Sequence, residues 1–125
     1  MQKFIQKTHH QKICEKLLQE PEIRFAGVLD WMGNLIAGDF KKGISPLKDE
    51  SEQRKMFIEA VLRVRIRQEF DYNMGPVEYA AARRKKVVTM TFQLDEVILF
   101  VSTNYEIDID TTARKIRKIC ETCRC

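Results

Sequence analysis

Apolar residues along the chain fall into eight segments, some with the period of a helix and some with the alternation of a strand. In the first segment, Ile13, Cys14 and Leu17 recur at the spacing of one helix face. This pattern predicts an amphipathic helix over about residues 7–19. Pro21 ends it, because a residue that precedes proline avoids the helical region of backbone space.

Two short apolar runs follow, over residues 22–29 and 35–38. The turn-forming residues between them, Gly33 among them, are typical of a β-hairpin. Gly27 and Gly38 indicate positions at which another backbone or a helix approaches closely.

Trp31 and Met32 would lie at the tip of this hairpin. A large apolar pair in a turn needs cover, which a protein partner could provide. More often such a residue folds back over the edge of its own sheet, and we favour that interpretation for Trp31.

The longest helix is predicted to open near Glu50. Asp49, with Glu52 three residues later, resembles a capping box in which an aspartate accepts from the first helical amides. The segment from 62 to 67 alternates apolar residues with arginine and would also suit a strand, but its length and the preceding sequence favour a helix.

The apolar positions of this middle helix wrap around more than one face. Two series have the spacing of four that places side chains on one side of a helix: Met56, Ala60 and Val64, and then Ile58, Leu62 and Ile66. One series can serve the domain's own core, which leaves the other in need of a partner. We expect a homodimer through this helix, with Met56, Ala60, Arg63, Val64 and Arg67 at the interface.

The second half of the chain predicts three strands, over residues 77–83, 86–93 and 97–103, and a last helix that begins near Asp108 or Asp110. The almost continuous apolar run at 97–101 is typical of a central strand buried on both faces. The order α-ββ-α-βββ-α predicts an α+β fold with a five-stranded, mostly antiparallel sheet and helices on both of its faces.

Composition agrees with one globular domain over residues 1–125. The chain has 125 residues, of which 44% are hydrophobic and 32% charged, and a net charge of +4. Much of the excess lies in the last helix and in a cysteine-rich basic tail over residues 120–125. No run is long enough to span a bilayer, and the first residues lack the apolar stretch of a signal peptide. We therefore expect a cytoplasmic protein with reduced cysteines.

The segment Ile23 to Leu29, followed by Asp-Trp-Met-Gly-Asn-Leu-Ile-Ala-Gly from Asp30 to Gly38, resembles the roadblock (dynein light chain) family. It is especially similar to a group of small archaeal roadblock-like proteins. The resemblance covers nearly the whole element order and implies a profilin-like fold. It also implies pairing through the middle helix and the adjacent edge strand, and a role as a scaffold or regulator of small GTPases.

Four residues could bind zinc. His10 with Cys14, and Cys120 with Cys123, are spaced so that each pair presents both ligands on one helical side. If the first and last helices lie side by side, the four side chains converge. Free cysteines on apolar stripes also act as small hydrophobic residues, and we favour that interpretation, with no cofactor.

Four consecutive cations, Arg83, Arg84, Lys85 and Lys86, form a candidate anion contact at a hairpin tip, where Tyr79 could stack on a base. A solvated turn explains them equally well, so nucleic acid is not our leading expectation. The sequence has neither a nucleophile motif nor a glycine-rich phosphate loop, and we expect no enzyme activity. A scaffold module is the leading hypothesis. The alternatives are a ligand- or metal-sensing domain of PAS- or profilin-like shape and a nucleic-acid-binding module.

Overall fold

A computed structural model describes the backbone of residues 2–123 and the side chains of residues 8–123. The elements, in chain order, are α1 (Gln2–Leu18), β1 (Ile23–Leu29), β2 (Leu35–Phe40), α2 (Glu50–Gln68), α3 (Asp71–Met74), β3 (Ala80–Arg83), β4 (Val87–Leu94), β5 (Val97–Asn104) and α4 (Ile109–Thr122). The predicted order is confirmed, with the short helix α3 as an addition.

The five strands form one sheet in the order β2-β1-β5-β4-β3, and all four pairings are antiparallel. The predicted central strand is confirmed, because β5 lies in the middle and residues 98–101 are buried. The outer strands are therefore β2 and β3.

Each face of the sheet has its own core. On one face α1 and α4 pack against the strands through buried residues that include Ile13, Leu17 and Ile116. On the other face α2 packs alone, and its buried Phe57 and Val61 contact a smaller cluster. This arrangement confirms helices on both faces and an α+β fold.

The middle helix forms as its sequence predicts. Asp49 is the N-cap, and its carboxylate accepts from the backbone N–H of Glu52 at 2.8 Å. The segment from 62 to 67 is helical, so the strand interpretation is wrong there. Its alternating arginines lie on a helix that needs only one side for the core.

Three boundaries differ from the predicted ones by two residues or more. Helix α1 begins at Gln2, β2 continues to Phe40, and β3 begins at Ala80 instead of residue 77. Pairing between β3 and β4 begins only at Ala80, and the short helix α3 lies within the segment that the sequence suggested was a turn.

Candidate functional site

The edge of the sheet at β2 is closed by the chain itself. The backbone N–H of Gly38 donates to the side-chain oxygen of Gln11 on α1 at 3.0 Å. The backbone N–H of Phe40 donates to the Asp39 carboxylate at 2.7 Å. These outward amides are satisfied, so this edge is a poor template for another strand.

The edge at β3 has a different character. The N–H of Arg84 donates to the carbonyl of Val87 at 2.8 Å, which fixes this pair as hydrogen-bonded. Because hydrogen-bonded and non-hydrogen-bonded pairs alternate in an antiparallel ladder, the N–H groups of Ala81 and Arg83 point away from β4. Within the described residues, no strand lies beyond them.

A groove runs between this open edge and α2. The α2 core cluster contacts β1 and β5 but includes no residue of β3 or β4. On the same face, the register places small side chains along β4 and β3: Thr89, Thr91, Ala80 and Ala82. Helix α2 therefore covers only half of its sheet face.

All five residues of the predicted dimer interface line the space between α2 and β3. Met56, Ala60 and Val64 lie deepest and also contact the core of their own domain. Arg63 is exposed and pairs with Glu59 at 3.3 Å, and Arg67 is half-buried.

The other apolar series of α2 faces outward. Ile58, Leu62 and Ile66 are 38%, 53% and 59% exposed. Spaced by four, they form a continuous outer stripe along the helix, on the side away from the sheet. Periodicity alone revealed both series but could not tell which one the core would use.

Trp31 and Met32 have separate environments at the hairpin tip. Trp31 is half-buried against the α2 core cluster, and the Arg65 guanidinium lies 5.4 Å from its ring centroid. Met32 is 74% exposed. The tryptophan thus packs on its own domain, and the methionine is the part that a partner could contact.

The four candidate zinc ligands do not assemble into a metal site. Among residues 8–123, no group of three or more histidine, cysteine or acidic side chains is placed to hold an ion. Burial raises the pKa of Cys14 to about 12, with a smaller effect from Cys120. Burial also lowers the pKa of His10. In the core cluster Cys14 packs as a small hydrophobic residue.

The four consecutive cations divide between two environments. Arg83 donates to the backbone carbonyls of Tyr105 and, at 2.7 Å, of Ile107, so it ties β3 to the connection before α4. Arg84, Lys85 and Lys86 are exposed at the hairpin tip. Arg83 is consequently engaged within the domain, whereas the anion contact predicted for these four residues stays a prediction.

Tyr79 is also engaged within the domain. Its hydroxyl donates to the Asp110 carboxylate at 2.8 Å, and its ring lies 6.1 Å from that of Phe92. The expected free stacking platform for a base is therefore not present at Tyr79. Cys123 caps α4, while Arg124 and Cys125 of the predicted tail lie outside the described residues.

None of the helices within the described chain combines the length and the hydrophobicity that crossing a bilayer requires.

Comparison with known proteins agrees with this architecture. The chain belongs to DUF6659, a family of unknown function, and the match spans residues 2–123. No curated protein matches it in sequence.

Solved structures define the fold as roadblock-like. A Roadblock/LC7 domain from Streptomyces avermitilis superposes with a TM-score of 0.69 at 13% identity, over 91% of this chain and 93% of that one. MglB from Myxococcus xanthus gives 0.70 at 13% identity, over 92% and 84%. Another MglB structure, with a tetrameric arrangement, gives 0.62 at 11% identity, over 90% and 88%. Profilin II from Acanthamoeba castellanii gives 0.58 at 15% identity, over 90% and 94%.

Proposed function

We propose that this protein is a non-enzymatic scaffold module that forms a homodimer through β3 and α2 and binds a small GTPase on the outer stripe of α2. The observation that carries the proposal is the asymmetry of the sheet. One edge is closed by Gln11 and Asp39, while the other is open and borders a half-covered face.

Pairing of two β3 strands would extend two five-stranded sheets into one. The alanines of β3 have small side chains, which allow a second backbone or helix to approach closely. The partner's α2 would then lie over the uncovered Thr89 and Thr91, beside Arg63 and Arg67. Burial of this groove supplies the apolar contact that a stable interface needs beyond edge hydrogen bonds.

Ala81→Pro is expected to convert the dimer into a folded monomer. Proline removes the outward N–H of Ala81, which pairing would use, and leaves the inward bonds of the β3–β4 ladder in place. Light scattering and sedimentation at micromolar concentrations would measure the mass, and circular dichroism would show that the fold remains.

Ala81→Thr is the matched control, because threonine keeps the N–H and favours strands. We expect this variant to remain a dimer. A wild-type protein that is monomeric throughout the micromolar range, or an Ala81→Pro variant that still dimerises, would contradict the proposed interface.

The outer stripe supports the second half of the proposal. Ile58, Leu62 and Ile66 form an exposed apolar row that the domain's own core does not use. A helix with such a row is a common docking element for a protein partner. The roadblock resemblance suggests a small GTPase as that partner.

The experiment purifies the tagged protein, after cross-linking, from cells of the organism that produces it and looks for a GTPase that is recovered with it. Leu62→Asp is expected to abolish this recovery. Leu47→Asp is a matched control, since Leu47 is 57% exposed, slightly more than Leu62, but lies in the loop before α2. Mass spectrometry of the cross-linked eluates identifies the partner. The assignment is wrong if the wild type recovers no GTPase or if Leu62→Asp recovers as much as Leu47→Asp.

A further inference from the structure

A second concave surface lies on the α2 side of the sheet, beyond the first turns of α2. It has a volume of about 690 Å³, which is within the range of roughly 300–1,000 Å³ usual for small-molecule sites. The floor is formed by the strands. One wall is the loop before α2, and the other is the tip of the β3–β4 hairpin. We call this surface the hairpin cleft.

All the charged residues that line the hairpin cleft are basic, and Gln53 is an uncharged polar residue among them. Five lining residues carry positive charge, and none carries negative charge: Arg24, Lys48, Arg84, Lys85 and Lys86. None of the five forms an ion pair with another described residue. Cations gathered without carboxylates raise the local concentration of anions and slow their escape.

Two of these cations are placed by the fold itself. Arg24 lies where the register between β1 and β5 shifts, and it lines the cleft beside Ser102. The ammonium of Lys48 lies against the sulfur of Met56, which is only a weak acceptor. An oxyanion would be a much better partner for that ammonium.

The interior of the cleft is largely apolar, with two hydroxyls on its floor. Phe40, Leu47, Met56 and Val87 form the apolar lining. Ser102 and Thr89 are opposite each other on adjacent strands, so their two hydroxyls lie together on the floor of the cleft. A bare anion would leave the apolar lining unused, and an uncharged apolar molecule would leave the cations unpaired.

We propose that the hairpin cleft binds a small amphiphilic anion, an alkyl chain that carries a phosphate-like head. The chain lies against Phe40, Leu47 and Met56, and the head group meets the basic rim. The cleft is formed by residues of one protomer, so neither the dimer nor a GTPase is needed to form it, although it shares Met56, Arg84 and Thr89 with the groove of the proposed dimer.

The test uses the full chain, labelled with ¹⁵N, and monododecyl phosphate below its micelle concentration. We expect saturable amide shifts at Val87, Thr89 and Ser102, with little change along the outer stripe of α2. Inorganic phosphate and dodecyl maltoside, each at the same concentration, should produce no saturable shifts. Equal binding of either one would overturn the proposal.

Charge reversal at the rim provides the first variant. Lys85→Glu with Lys86→Glu is expected to weaken binding by about tenfold or more, which corresponds to about 1.4 kcal/mol. Lys12→Glu with Lys16→Glu changes net charge equally on the exposed side of α1 and should leave affinity unchanged. An equal loss of affinity for monododecyl phosphate in both double variants would show a non-specific charge effect and would contradict the proposed site.

Leu47→Asp tests the apolar wall, and Leu62→Asp is its control. The same two variants test GTPase binding at the outer stripe of α2, where Leu62→Asp is the test and Leu47→Asp is the control. Leu47→Asp should weaken binding of monododecyl phosphate and leave recovery of the GTPase unchanged. Leu62→Asp should abolish recovery of the GTPase and leave binding of monododecyl phosphate unchanged. Binding to phosphatidylglycerol vesicles without binding to the monomeric amphiphile, or binding to single-stranded RNA alone, would overturn the proposal.

Discussion

Gly38→Ala is expected to lower the free energy of unfolding by about 3 kcal/mol or more, from a typical total of roughly 5–15 kcal/mol. The backbone at Gly38 has φ of +101°. A Cβ there would lie 2.1 Å from the carbonyl oxygen of Ala26 and 2.6 Å from the Cα of Gly27. These are backbone atoms of β1, which cannot move without disturbing its pairing with β5.

The loss of stability in Gly38→Ala has two causes, the positive φ and the close approach of β1, and Gly43→Ala measures the first of them alone. Gly43 also has a positive φ, +86°, but no described atom lies within 4 Å of its would-be Cβ. It should therefore show only the conformational cost, about 1 kcal/mol. Urea denaturation followed by circular dichroism would compare the two variants, and equal losses would refute the close-approach explanation.

Phe57→Ala is expected to destabilise the protein by about 3–5 kcal/mol. Phe57 is 5% exposed, and its ring centroid lies 5.7 Å from that of Phe25 and 5.5 Å from that of Phe100. Few buried side chains attach α2 to the sheet: Phe57, Ala60 and Val61. Truncation of the largest should loosen the helix that carries both proposed protein surfaces.

The fluorescence of Trp31 provides a local measurement of this effect, because Trp31 packs on the same cluster. Urea titrations at several protein concentrations would separate intrinsic stability from association. Phe70→Ala is the control. Phe70 is 48% exposed, and its loss should cost less than about 1 kcal/mol. If Phe57→Ala costs no more than Phe70→Ala, α2 is held by other contacts.

The order of elements could be predicted from the sequence because each signal is local. The cap at Asp49, the break at Pro21 and the apolar run of β5 depend on neighbours in the chain. Helix α3 was missed, since a four-residue helix is too short to show a period and its residues also suit a turn.

The sites were harder to predict because they depend on distant pairs. Periodicity revealed two apolar series on α2, but only the docking of Phe57 decides which one faces the core. Arg83 and Arg84 are neighbours in sequence with different partners, since Arg83 is bonded to the connection before α4. The hairpin cleft combines four strands, a helix, the loop before α2 and the β3–β4 hairpin tip, which no local pattern would bring together.

The bond from Gly38 to Gln11 has a consequence for the size of the assembly. A sheet with two open edges can add copies at both ends and grow into a filament. Here, one edge is already satisfied by α1, and a two-fold pairing of β3 strands would use the other. Growth by strand addition would then stop at two chains, so two side chains, Gln11 and Asp39, would protect the proposed dimer from polymerisation.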